Sequence, residues 1–117
     1  MKAFFVITSF FLLQFTVKAQ TLSDTLKISD TKTSHLVCPD KVDYVQAGDY
    51  SIVQAEIVPE LSNLVRIKAI QPFEKTSSLT VVCKDRIYSF ELIYGNDAPV
   101  TYQVEAFRSQ DAMTFTG

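Results

Sequence analysis

His35, Cys38 and Cys83 carry the most reactive side chains of this chain, and they have little company: 117 residues hold one histidine and two cysteines. A structural zinc site takes four ligands from thiolate, imidazole and carboxylate. One imidazole and two thiols leave that set short. A nucleophilic triad needs a histidine held between a hydroxyl and an acid, and no order of serines and acids around His35 marks one. No glycine-rich phosphate loop occurs. Asp40, Asp43, Glu56 and Glu91 are scattered carboxylates of the kind any surface carries. The expectation is a chain that is not an enzyme, with no catalytic, cofactor-binding or metal-binding residues and no cofactor. His35, near a strand end, reads as structural.

Cys38 and Cys83 leave two readings open. As a disulfide they would close a loop of about 45 residues, worth about 4 kcal/mol in the chain-entropy model. As free thiols they would be two small apolar core residues. Each sits at or near the end of an expected strand, so pairing requires only that those ends meet.

The elements that must position these residues are strands. Val, Ile, Thr, Tyr and Phe are abundant, and they favour pleated surfaces. Seven short strands are expected, at residues 25–29, 34–37, 42–47, 52–58, 64–71, 78–84 and 86–94. Val53, Ala55 and Ile57 alternate with Ile52, Gln54 and Glu56. Val65, Ile67 and Ala69 oppose Arg66 and Lys68, whose face reads as solvated rather than as a binding site. Tyr88, Phe90, Leu92 and Tyr94 share one face and should carry the core. Pro39, Gly48-Asp49, Pro59, Pro72 and the run Gly95-Asn96-Asp97-Ala98-Pro99 punctuate the strands. Lys84-Asp85 lacks the glycine a tight primed turn prefers, so a somewhat longer loop is expected there. Residues 101–104 are a candidate edge strand, and residues 105–116 show no clear period. The fold expected is all-β, a small antiparallel β-sandwich of about seven short strands.

The N-terminus reads as an export signal. Met1-Lys2 is a positive start, residues 4–15 form an apolar run broken only by Thr8, Ser9 and Gln14, and Val17-Lys18-Ala19 resembles a cleavage site. Cleavage after Ala19 leaves Gln20 as the new terminus. The organisation expected is a signal peptide at 1–19, a polar lead-in at 20–30, a sandwich at 31–96, and at 97–117 a tail or the start of a second domain. No later apolar run is long enough to span a membrane. A formal charge of −2 gives no basic patch for nucleic acid.

Three blocks share the order and spacing of a known family. Thr33-Ser34-His35-Leu36-Val37-Cys38-Pro39-Asp40-Lys41-Val42 resembles the Thr-x-His-Leu-x-Phe-Pro-x-x-Ile/Val motif of the TraN proteins of Bacteroidetes conjugative transposons. Asn63-Leu64-Val65-Arg66-Ile67-Lys68-Ala69 is a second match. Ser78-Leu79-Thr80-Val81-Val82-Cys83, leading to Tyr88-Ser89-Phe90, is a third. The later blocks are also similar in pattern to the N-terminal β-domain of type IV secretion outer-membrane core subunits. The resemblance implies a periplasmic β-sandwich, associated with the outer membrane through partners, that serves a conjugation apparatus alongside other transfer and secretion subunits, as an oligomer in the assembly. Cys38 stands where the family usually has Phe. Family members continue into a second, larger domain, so the resemblance implies a truncated product or a short form here. It supplies no catalytic residue.

Open sheets bind neighbours through their edges. Residues 21–29 or 101–115 are expected to supply or accept a strand in trans. The rival reading is a secreted ligand-binding module for carbohydrate or a surface protein, with Tyr44, Tyr50 and Tyr102 as aromatic platforms. Rings of that size read first as packing residues.

Overall fold

Period-two burial runs through the described chain. The computed structural model describes residues 23–112. The expected leader, its cleavage point at Ala19 and Gln20, and residues 113–117 lie outside the described residues. Nine strands are present among the described residues: β1 (Ser23–Ile28), β2 (Ser34–Val37), β3 (Val42–Ala47), β4 (Val53–Ile57), β5 (Leu64–Ala69), β6 (Ser77–Cys83), β7 (Arg86–Tyr94), β8 (Thr101–Gln103) and β9 (Gln110–Asp111). A single 3-10 turn, Val104–Ala106, lies between the last two. The protein is all-β. No helix among the described residues is long and apolar enough to cross a membrane.

The strands form two sheets. One runs β1-β7-β6-β3, with β9 also on β7; the other runs β4-β5-β2-β8. β1 pairs Ser89 to Tyr94 of β7, and β9 pairs Arg86 and Ile87, so the two share the flank of β7 that faces away from β6. Proline supplies no ladder donor, which confines it to breaks. Pro39, Pro72 and Pro99 stand where the chain passes from one sheet to the other, and Pro59 lies in the β4–β5 loop.

Between the sheets lies a dry layer. Leu26 and Ile28 of β1, Leu36 of β2, Val65 and Ile67 of β5, Leu79 and Val81 of β6, and Phe90 and Leu92 of β7 are all buried. Their alternation with Lys27, Arg66, Thr80 and Glu91 is the reason these stretches adopt extended backbone. Phe107 meets Phe90 edge-on at 5.3 Å, which draws the segment after β8 back onto the core.

The observed sandwich differs from the expectation in three ways. First, two of the seven strand pairings among the described residues are parallel: β1 on β7 and β2 on β8. Alternation reports which side chains face inward and is silent on direction. Parallel pairing requires a long connection, which the distance in sequence between β1 and β7 provides. Second, the hydrogen-bonded sheets extend beyond residues 31–96 at both ends, to β1 and β9. Within the expected lead-in, β1 covers Ser23–Ile28 and its Leu26 and Ile28 are part of the core.

Third, the β6–β7 turn is tight. Cys83 pairs directly with Arg86, and Lys84 and Asp85 adopt φ of 54° and 60°. Two successive left-handed residues make a primed turn, which glycine and asparagine normally occupy. Leu79, Val81 and Cys83 must face inward with Tyr88 and Phe90, and a one-residue slip would turn every one of them outward. Register therefore outweighs the local backbone cost. Lys84→Asn/Asp85→Gly is expected to stabilise the domain by about 1 kcal/mol, since each new residue tolerates positive φ. Thermal unfolding should report a Tm higher by roughly 4–8 °C; an unchanged or lower Tm would contradict this turn assignment.

Candidate functional site

His35 stands half-buried on the outer face of the second sheet, between Arg66 of β5 and Thr101 of β8. Its backbone N–H donates to the Val100 carbonyl at 2.9 Å. The four carboxylates singled out in the sequence are dispersed. Asp40 accepts from the Lys41 amide at 2.8 Å, Asp43 pairs with Lys41 at 3.4 Å, and Glu56 pairs with Arg66 across β4 and β5. Glu91 lies on the outer face of the other sheet, between Ser78 and Thr25. No group of three or more metal-ligating side chains gathers among the described residues.

Cys38 and Cys83 do meet. Cys83 ends β6 in one sheet, opposite Val42 of β3. Cys38 follows β2 of the other sheet, and Asn63 holds its peptide twice. The Cys38 N–H donates to the Asn63 carbonyl at 2.9 Å, and Asn63 Nδ2 donates to the Cys38 carbonyl at 3.3 Å. Both thiols are free and buried, with exposures of 2% and 0%. Both lie in the one buried core cluster between the two layers. Each thiol perturbs the other, since a hydrogen bond from Cys38 favours thiolate on Cys83. That bond holds Cys83 below the usual thiol range while burial and the nearby Asp43, Asp40 and Glu105 oppose. The same bond, then burial, pushes Cys38 far up.

The two flanks of the sandwich are finished differently. Along the β1–β8 flank the Tyr102 hydroxyl accepts from the Lys27 N–H at 3.0 Å and donates to the Lys27 carbonyl at 2.8 Å. One phenol thus closes the outward backbone of β1 at mid-strand. Burial pushes that phenol above the ordinary tyrosine range. Asp24 beside it accepts from the Arg108 amide at 2.9 Å and from the Arg108 guanidinium at 3.3 Å, which hold its carboxyl down.

The β3–β4 flank is closed only in its upper part. Ala47 N–H donates to the Tyr50 hydroxyl at 3.1 Å, and the Val53 N–H to the Asp49 carbonyl at 3.2 Å. Ser51 donates to Asp49 Oδ1 from its hydroxyl at 2.6 Å and its amide at 2.9 Å, shaping this turn and lowering the Asp49 carboxyl. Beyond Val53 the closure stops. The Ile70 N–H donates to the Ile52 carbonyl and the Val58 N–H to the Leu64 carbonyl, which sets the alternation of β4. Even-numbered residues of β4 therefore bond to β5, and Ala55 and Ile57 turn their peptide groups outward. No hydrogen bond among the described residues caps either one.

Beside this open edge lies a shallow hollow of about 350 Å³ on the outer face of the sheet. Gln54 and Glu56 of β4, Arg66 and Lys68 of β5, Tyr50 and Ile70 line it. Tyr50 and Ile70 remain 46% and 47% exposed. Arg66 and Lys68, which the sequence presents as a solvated face, thus form the basic wall of a concavity.

The segments expected to pair in trans are engaged within the chain. Ser23–Ile28 lies on β7, Thr101–Gln103 on β2, and Gln110–Asp111 on β7. Tyr102 is a packing and clamping residue; Tyr44 and Tyr50 are exposed.

A domain profile described as a domain of unknown function, DUF8473, matches residues 26–98. The chain belongs to the DUF8473 family. No curated protein matches it. The DUF8473 span begins at the buried Leu26 of β1 and ends at the buried Ala98 before β8. It contains both cysteines, the hollow and the open edge of β4. Tyr102 and the other groups that seal the opposite flank from beyond β7 follow it. Sequence reasoning missed the open edge, because edge status depends on which strands end up as neighbours.

Proposed function

We propose that this DUF8473 protein is an exported interaction subunit, working in a conjugative-transposon transfer apparatus by accepting an extended segment of another envelope subunit. The observation that carries the reading is the uncapped run at Ala55 and Ile57 beside the hollow. An added strand would bond to those peptide groups, and alternate side chains would reach the polar and basic wall of Gln54, Arg66 and Lys68. The leader-like residues 1–19 support export to the periplasm, and the resemblance of three blocks to TraN proteins supports the class of partner. Association with the outer membrane follows from those partners.

Ala55→Pro is the sharpest test. Proline removes an outward N–H at an edge position and leaves the bonds to β5 in place. In co-precipitation with purified outer-membrane core subunits of the same transfer system, this variant is expected to retain its fold by circular dichroism and lose at least about tenfold in binding, the cost of one or more ladder bonds. Full binding by a folded Ala55→Pro protein would remove β4 from the account.

One observation favours a second reading, a carbohydrate-binding module. Tyr50 stands exposed over the same hollow with Gln54, Glu56 and Arg66 around it. Retardation by polysaccharide in native gels that Tyr50→Ala abolishes and Ala55→Pro preserves would favour the sugar.

A further inference from the structure

We propose that Cys38 and Cys83 form a dithiol–disulfide pair, which joins the two sheets covalently once the chain meets a disulfide oxidant. The chain has two cysteines in all, 45 positions apart, and the fold places both in one buried core cluster from opposite layers, with Cys83 paired to Val42, four residues beyond Cys38. Both backbones are fixed there, Cys83 by pairing with Val42 and Arg86, Cys38 by both hydrogen bonds to Asn63. Two apolar core residues would fill the space without needing matched thiols. The place where an oxidant is met rests on the export reading; the pairing itself does not.

The chemistry is thiol–disulfide exchange with a low-molecular-weight or protein disulfide, RS–SR. The Cys83 thiolate attacks one sulfur of RS–SR, forming Cys83–S–SR and releasing RS⁻, which takes up the proton that Cys83 lost. Cys38 then gives its proton to solvent and attacks Cys83 Sγ. The Cys38–Cys83 bond forms, and the second RS⁻ leaves and is protonated. Two thiols lose two electrons and two protons, and RS–SR becomes two RSH. Burial of both sulfurs keeps oxidant out of the closed sandwich, so exchange occurs while the sheets are parted.

The full chain, purified reduced and unfolded in denaturant, is refolded with oxidised glutathione or with dithiothreitol. The oxidised sample is expected to lose two hydrogens in intact mass and to show no thiol when titrated in denaturant. Its Tm should rise by on the order of 10 °C or more over the reduced sample. Cys38→Ala should abolish the oxidant-dependent rise. Two titratable thiols after oxidative refolding, glutathione adducts on both cysteines, disulfide-linked dimers, or a Tm rise that survives Cys38→Ala would each overturn the pairing. In a second arm the chain is expressed with residues 1–19 in a Gram-negative host. Chain retained in the cytoplasm would defeat the export reading, while the refolding arm decides the bond independently.

Discussion

Leu26→Ala/Ile28→Ala is expected to leave the protein unfolded at 37 °C. Both side chains lie at 0% exposure in a strand paired on one side to β7. Truncating a buried Leu or Ile to Ala costs about 2–5 kcal/mol, combining lost transfer energy with the cavity left behind. Two such losses reach roughly 4–10 kcal/mol, against a total stability of about 5–15 kcal/mol for a domain of this size. The far-UV dichroism of the double variant should resemble that of wild type in denaturant. A cooperative urea transition with the wild-type midpoint would mean that β1 is dispensable. The same arithmetic bears on any attempt to treat the first strand as a detachable binding arm. A deletion through Ile28 would abolish partner binding by abolishing the fold, so substitutions on β4 are the informative ones.

Phe90→Ala should cost about 3–5 kcal/mol, the range for removing a buried Phe side chain. Phe90 is 2% exposed, runs near-parallel to Tyr88 at a centroid distance of 6.4 Å, and takes the Phe107 ring edge-on at 5.3 Å. Edge-to-face pairs add about 0.5–1.5 kcal/mol to the area they bury. A Tm lower by at least about 15 °C is expected, together with faster amide exchange over residues 104–112, because Phe107 anchors that segment. Phe90→Leu should recover most of the Tm and little of the exchange protection. Equal protection in the two variants would show that the 3-10 turn and β9 are held by something other than this ring pair.

Much of this architecture is legible in alternation alone. Ser34–Val37, Val42–Ala47 and Arg86–Tyr94 begin and end where the residue pattern places them, and the inward faces of β4, β5 and β7 are the ones their apolar sets select. What is not legible is which strand neighbours which. Leu26 and Ile28 announce a strand, yet nothing local says that it runs parallel to residues more than sixty positions later. The turn at Lys84-Asp85 follows from register imposed by the core, against the preference of its own residues. The candidate site depends on the same global information. Ala55 and Ile57 look like ordinary strand positions until β4 proves to be last in its sheet. That Cys38 and Cys83 share one core cluster likewise depends on how the two sheets pack, which no local pattern states.

The single phenol of Tyr102 has a consequence for how copies of this protein can associate. Runaway filament growth through strand pairing needs two exposed rims per molecule, one to receive and one to offer. With Lys27 occupied from within and β8 only three residues long, the β1–β8 flank offers little rim among the described residues, and the edges left are those of β3 and β4 on the other flank. Self-association by strand pairing is therefore expected on the β3–β4 flank, away from Tyr102.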